Sequence, residues 1–118
     1  GLVNELVDEL VDLGHSDAAG HPVLGPDQLV HGDLAGNVLL DATGTPVVID
    51  LAPYWRPALW AEAVCVLDAV LWHGADPQVL EPWRHGVHQQ AMLRAAAFRL
   101  LSEEPGSGTA EALARVLD

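Results

Sequence analysis

The sequence predicts an α+β fold that is mainly helical and contains one small β-hairpin. Three observations predict this class. A long apolar run follows Pro57, a second helical pattern covers Val87–Glu103, and two short segments rich in Val, Leu and Ile flank the turn-forming run Ala42–Thr45. We expect a single domain over residues 1–118, because this length suffices for one hydrophobic core and is too short for two.

The first predicted element is an amphipathic helix. Between Leu2 and Asp12, apolar residues recur at helical spacing with acidic residues on the other side, and Gly14 is a suitable end. The stretch His15–Gln28 has no periodicity and is predicted to be a loop. A short apolar segment, Leu29-Val30, leads from this loop into the residues that follow.

The hairpin comes next and is followed by helices. Its strands are predicted within Asn37–Asp41 and Pro46–Asp50. The run Leu59–His73 is apolar nearly all round, which is typical of a buried helix.

Two turn segments separate the remaining helices. Asp76 is a suitable N-cap with Pro77 at the first helical position. Helix is predicted again over Val87–Glu103. The run Pro105–Gly108 ends it, and Thr109 could cap a last helix over Ala110–Leu117.

Composition excludes several functions. Seventeen acidic and five basic residues give a formal net charge of −12, which disfavours nucleic acid and anionic membranes as partners because both need a cationic surface. A cationic small substrate would be attracted, although acidity can also serve solubility alone. No apolar run is long enough to span a membrane. The single cysteine, Cys65, fits a reducing cytoplasm.

The residues that carry chemistry lie in two short loops. The first is His31-Gly32-Asp33-Leu34-Ala35-Gly36-Asn37, and the second ends the hairpin at Val48-Ile49-Asp50. Phosphoryl transfer needs a carboxylate that positions the attacking hydroxyl and oxygen ligands that hold Mg²⁺ against the phosphates. Asp33, Asn37 and Asp50 provide these groups in that order.

This ordered set resembles the catalytic and metal-binding loops of the aminoglycoside phosphotransferase and protein-kinase-like superfamily. The resemblance is firmest over Leu29–Gly74 and implies the C-terminal lobe of a kinase-like fold, with the hairpin joining the two loops. It also implies ATP and Mg²⁺ as cofactors, a small-molecule hydroxyl as phosphate acceptor, and a cytoplasmic enzyme. Gly32 marks the small-molecule branch, since protein kinases usually carry arginine there.

The resemblance implies a role for each matching residue. Asp33 corresponds to the catalytic aspartate, and His31 to the histidine that holds the catalytic loop against the metal loop. Asn37 and Asp50 correspond to the metal ligands. Leu39 and Ile49 would face the nucleotide, with Leu39 as an apolar floor under the base.

The catalytic loop departs from the family pattern by one residue. The usual pattern places four residues between aspartate and asparagine, whereas Asp33 and Asn37 enclose only Leu34, Ala35 and Gly36. A shorter loop must turn more sharply, and Gly36 can adopt positive φ. An actinobacterial group of phosphotransferase-like proteins is similar in this short loop and in the run that follows, Asp50-Leu51-Ala52-Pro53-Tyr54-Trp55-Arg56-Pro57.

Two interpretations of this last run stay open. Arg56 is a candidate contact for a phosphate or for Asp33, beside the aromatic face of Tyr54 and Trp55. Alternatively, Trp55 packs on the helix Leu59–His73 and Arg56 pairs with an acidic neighbour.

Other chemistry-bearing residues favour structural roles. The histidines His73, His85 and His88 lack the spacing of a zinc site and are expected at the surface or at helix ends. Cys65 is expected to be an inert buried thiol. Arg94 and Arg99 are expected to meet surface carboxylates. The tryptophans Trp60, Trp72 and Trp83 are expected to pack between helices.

No glycine-rich loop and no paired lysine precede Leu29, so we expect the chain to represent the C-terminal lobe without the N-terminal nucleotide-binding lobe. Apolar residues around Leu39 and Ile49 would then be partly exposed and favour self-association or a partner chain. The alternative function is accordingly a catalytically inactive kinase-like remnant that acts as a protein-interaction module. Whether the isolated chain is an enzyme stays open at this point.

Overall fold

The computed structural model describes residues 24–118. The predicted helix between Leu2 and Asp12, and most of the predicted loop that follows it, lie outside the described residues. The described strands are β1 (Asp27–His31), β2 (Val38–Leu40), β3 (Pro46–Val48) and β4 (Pro53–Pro57). The helices are α1 (Ala58–Trp72), a 3₁₀ helix (Pro77–Arg84), α2 (Gly86–Ser102) and α3 (Thr109–Leu117).

The strands form two separate antiparallel pairs. β2 and β3 make the predicted hairpin, with Val38 opposite Val48 and Leu40 opposite Pro46. β1 pairs with β4 in a register that sets His31 opposite Pro53. This second pair was not predicted, because its partners are distant in sequence and each is too short to show alternation. The α+β class is confirmed, with about half of the described residues in helices.

The hairpin turn is organised by Asp41. Its Oδ1 accepts hydrogen bonds from the backbone N–H of Thr43 at 2.8 Å and of Thr45 at 2.9 Å, and from the Thr43 hydroxyl at 2.7 Å. Gly44 supplies the positive φ of 82° that closes the turn. The Thr43 hydroxyl, followed by the two backbone donors, lowers the pKa of the Asp41 carboxyl.

The helices after Pro57 match the predicted ones to within about a residue at most ends. Asp76 caps the helix that begins at Pro77, as predicted, because its Oδ1 accepts a hydrogen bond from the backbone N–H of Gln78 at 2.9 Å. This helix is a 3₁₀ helix. The cap predicted at Thr109 is wrong. Gly108, at φ 84°, precedes α3, and the Thr109 hydroxyl bonds to Ser107 instead.

The core lies between α1 and α2. α2 presents a row of fully buried alanines that lets α1 approach closely, and Leu67, Leu80 and Leu113 fill the space around it. An aromatic cluster closes one end of this core. There the ring centroid of Trp60 lies 5.0 Å from that of Phe98 and 5.6 Å from that of Tyr54.

The predictions for the tryptophans and histidines are only partly right. Trp60 is buried and Trp83 is partly buried against the core, but Trp72 is 47% exposed. The three histidines predicted at the surface are exposed: His73, His85 and His88.

The hairpin is far less covered than the helices. Both faces of the hairpin are exposed. Its exposed large apolar residues are Val38, Leu39, Leu40, Val47 and Val48, and Leu51, just after the hairpin, is exposed as well. The described helices include none that is long and apolar enough to cross a membrane.

Candidate functional site

His31 joins the two predicted loops. Its Nδ1 accepts a hydrogen bond from the backbone N–H of Asp33 at 2.9 Å, so the ring proton of the neutral imidazole must sit on Nε2. Nε2 then donates to the carbonyl of Ile49 at 3.2 Å. One side chain thus links the start of the first loop to the residue before Asp50.

Asn37 and Asp33 lie at the two ends of the short loop and contact each other. Asn37 Nδ2 donates to the carbonyl of Asp33 at 2.7 Å and lies 3.3 Å from its Oδ2. The backbone N–H of Asn37 also donates to the carbonyl of Leu34 at 2.9 Å. The tight turn requires φ of 83° at Gly36, so the predicted positive φ at this position is confirmed.

Backbone hydrogen bonds bring the second loop to the first. Ile49 N–H donates to the carbonyl of Asn37, and Gly32 N–H donates to the carbonyl of Ala52. Asp50 lies between these two links with φ of 49°, the only positive φ outside glycine among residues 24–118. Aspartate tolerates this region better than most residues, and such outliers concentrate at functional sites.

The main residue that the sequence reasoning missed is Arg99. It was expected to meet a surface carboxylate, but it is 9% exposed and reaches into the molecule from α2. Nε donates to Oδ1 of Asp68 on α1 at 2.8 Å, and Nη2 donates to Oδ2 of the same carboxylate. Nη2 also lies 3.2 Å from the carbonyl oxygen of Gly32 and 3.4 Å from Oδ1 of Asp33. The signal available was Asp68, one of two carboxylates in a mostly apolar helix; the other, Glu62, is exposed.

Burial dominates the protonation behaviour of Asp68. Loss of water raises the pKa of this carboxyl, and the hydrogen bonds and charge of Arg99 offset only part of that rise. Burial alone would lower the pKa of Arg99, but the contacts with Asp68 and the charge of Asp33 outweigh it and raise that pKa. The pair is a buried hydrogen-bonded contact between α1 and α2, and removal of one member would leave the other without this partner.

Gly32 permits a close approach of the first loop to the aromatic cluster. A Cβ at this position would lie 2.5 Å from Cε2 of Tyr54, well inside the contact distance of real side chains. The Tyr54 ring is itself held against Phe98, with ring centroids 5.4 Å apart. The structure therefore requires glycine at this position for a packing reason.

Two residues predicted to contact a nucleotide lie on the hairpin side of the loops. Leu39 is in the middle of β2 opposite Val47 and is 54% exposed. Ile49 is partly buried, and both of its backbone polar groups serve the links to Asn37 and His31.

Arg56 lies on β4. Its Nη1 donates to the carbonyl of its neighbour Trp55 at 2.8 Å. The guanidinium in contact with Asp33 is that of Arg99. Trp55 is 63% exposed, so the alternative that it packs on the following helix is wrong. The neighbour that packs there is Tyr54.

Comparison with known proteins gives no match. No family model matches the chain, and no curated protein or solved structure matches it. Its function is therefore inferred from the residues and the geometry given above.

The side-chain atoms that the two loops offer to a cation are oxygens, the ligands that hard divalent cations prefer. Within residues 24–118 no group of three or more His, Cys, Asp or Glu side chains is arranged to hold a metal. Because Asn37 Nδ2 is directed at Asp33, its Oδ1 is the amide atom left for a cation. Asp50 adds an exposed carboxylate directly after Ile49, whose backbone bonds to Asn37 and to His31. Two protein oxygens completed by phosphate and water are typical of Mg²⁺ sites.

Proposed function

We propose that this chain carries the phosphoryl-transfer centre of an ATP- and Mg²⁺-dependent small-molecule phosphotransferase, related to the aminoglycoside phosphotransferase and protein-kinase-like superfamily. The single observation that carries the proposal is the bonded set His31, Asp33, Asn37 and Ile49, which brings Asp50 beside the short loop. ATP as the phosphate donor implies a cytoplasmic enzyme.

Each residue would have a distinct task. Asp33, with its side chain 54% exposed, would accept the hydrogen bond of the acceptor hydroxyl. The acceptor oxygen forms a bond with the γ-phosphorus while the bond from that phosphorus to the bridging oxygen of ADP breaks, and the hydroxyl proton passes to Asp33. Asn37 Oδ1 and the Asp50 carboxylate would hold Mg²⁺, which when bound neutralises charge on the β- and γ-phosphates.

The charge of the chain favours a cationic acceptor, such as an amino sugar. A net charge of −12 concentrates cations near the surface, and Asp33 and Asp50 add carboxylates at the site itself. Leu39 and Ile49 would contact the nucleotide from the hairpin side. Arg56 remains a candidate contact for a phosphate.

Calorimetric titration of this chain with Mg·ATP and with metal-free ATP tests the proposal. Binding should depend on Mg²⁺, and Asp50→Asn should weaken it by about tenfold or more because a charged metal ligand is lost. Asp27→Asn, an exposed change on β1, is the matched control and should leave binding unchanged. Equal binding with and without Mg²⁺ would contradict the proposal.

The chemical step needs a separate measurement on the full-length gene product. Asp33→Asn keeps the size of the side chain but removes the proton acceptor. Phosphate transfer should fall by roughly 10²–10⁴-fold while Mg·ATP binding persists. Unchanged transfer would exclude Asp33 as the catalytic residue.

A second candidate function is that of an inactive interaction module. The exposed apolar hairpin favours it, because a two-stranded hairpin uncovered on both faces is marginally stable alone. Self-association through this surface would bury those residues. A stable oligomer in sedimentation, together with no heat on addition of Mg·ATP, would favour this candidate over the enzyme.

A further inference from the structure

Arg99 connects the helical core to the residue proposed as catalytic. Its guanidinium bonds to Asp68 through two nitrogens, and one of these, Nη2, also faces the carbonyl of Gly32 and Oδ1 of Asp33. The rings of Phe98 and Trp72 lie 5.0 Å and 5.8 Å from its Cζ and restrict its movement. A buried guanidinium in this geometry has little freedom to leave the loop.

A salt bridge that only joined α1 to α2 would need no contact with the loop. The two oxygens of Asp33 instead face donors from two different elements. Oδ1 faces Nη2 of Arg99, and Oδ2 faces Nδ2 of Asn37 at 3.3 Å. Each carboxylate oxygen thus has one donor from the protein, while the side chain as a whole stays 54% exposed and accessible to an acceptor hydroxyl.

We propose that Arg99, anchored by Asp68, is a positioning residue that sets the orientation of the Asp33 carboxylate and of the Gly32–Asp33 peptide. This inference rests on the proposed function for its catalytic meaning, but the contact itself does not. Arginine suits the task because its planar fork serves Asp68 and the loop at once, whereas a lysine ammonium is a single point charge. Other titratable groups near the pair are Glu103 and His73.

The test uses nuclear magnetic resonance of this chain without nucleotide or metal. In Arg99→Lys, the side-chain amide signals of Asn37 and the backbone amide signal of Gly32 should shift, although neither residue is changed. Arg115→Lys, an exposed change on α3, is the matched control and should leave both signals in place. Unshifted signals in a folded Arg99→Lys protein would overturn the inference. So would shifts no larger than those spread throughout α1 and α2, since these would indicate general loosening.

A second variant decides the matter if Arg99→Lys does not fold. Asp33→Asn leaves the Arg99–Asp68 pair intact and alters only the exposed partner. The Nη2–H signals of Arg99, which belong to the nitrogen that faces Asp33, should shift in this variant, and their failure to do so would overturn the inference. Because no ATP is present, these results are independent of the Mg·ATP titration. A chain that binds no nucleotide can still show the Arg99 contact, and a chain that binds it can lack the contact.

Discussion

The backbone of Gly36 lies directly against the imidazole of His73. A Cβ on Gly36 would be 2.6 Å from Cε1 of that ring and 3.1 Å from Nε2. The short loop therefore packs against His73, the residue that follows α1. Gly36 is needed at this position for two reasons. It supplies a positive φ, and it leaves room for the ring.

These two reasons can be separated with Gly44 as the control. Gly44 has φ of 82° against 83° for Gly36, but no atom lies within 4 Å of its added Cβ. Gly44→Ala should lower the free energy of unfolding by about 1 kcal/mol through its backbone alone. Gly36→Ala should lower it by up to roughly 1 kcal/mol more, because the exposed His73 ring must turn aside to make room for the methyl group. Urea unfolding of both variants measures the difference.

The double variant Gly36→Ala/His73→Ala completes this comparison. With the ring removed, only the backbone term should remain, so the loss should approach that of Gly44→Ala. A double variant no more stable than Gly36→Ala would show that the ring is not the obstacle.

His31 should be essential to the alignment of the two loops. His31→Phe keeps a ring of similar shape but leaves the Asp33 N–H and the Ile49 carbonyl without this partner. We expect unfolding free energy to fall by about 1–3 kcal/mol and amide exchange at Asp33 to accelerate. His85→Phe is the control, since His85 is exposed and contacts Glu81. Equal exchange rates of the Asp33 amide in the two variants would contradict the role of His31 in linking the two loops.

The hairpin turn should loosen in acid. The pKa of Asp41 lies below its ordinary value of 3.8 in the folded chain, so its stabilising effect is present above that pH and is lost as the pH falls through the folded pKa. The amide signals of Thr43 and Thr45 should therefore move together with a midpoint below 3.8. Movement centred above that value would contradict the hydrogen bonding described. Asp41→Asn should remove the transition.

Cys65 should react slowly in the folded chain. Cys65 is only partly buried, not buried as expected, but this partial burial, and secondarily the charge of Asp68, raises the pKa of the thiol, so little thiolate is present near neutral pH. We expect alkylation by iodoacetamide to be at least several-fold slower in the native chain than in urea. Equal rates would show that the groove beside β1, where Cys65 lies near Val30 and Leu34, is open to the reagent.

The helices and the hairpin were predictable because their signals are local. The apolar run of α1, the Asp76-Pro77 start and the Thr- and Gly-containing turn each specify a structure within a few residues. The pairing of β1 with β4 was not predictable, because Asp27 and Pro57 are joined only through the tertiary fold. The exposure of Trp72 was not predictable either. It lies at the end of a helix predicted to be buried on all sides, and its exposure depends on which part of that helix the other helices cover.

The site divides in the same way. The proposed site residues His31, Asp33, Asn37 and Asp50 could be predicted from their order along two loops joined by a hairpin, together with the family resemblance of these loops. Arg99 could not, because its burial depends on Asp68, and that pairing arises only when α1 and α2 pack together. A basic residue on an alanine-rich helix has the same local signature whether its charge reaches water or a buried carboxylate.

The link between Arg99 and Asp33 has a consequence for the order in which the protein is made. These two residues are 66 positions apart, so the ribosome completes the short loop long before it adds the guanidinium that faces it. The loop is synthesised early, but Asp33 contacts Arg99 only after α2 has emerged from the ribosome and packed on α1. A nascent chain that stops before α2 would hold every motif residue and still lack the oriented carboxylate.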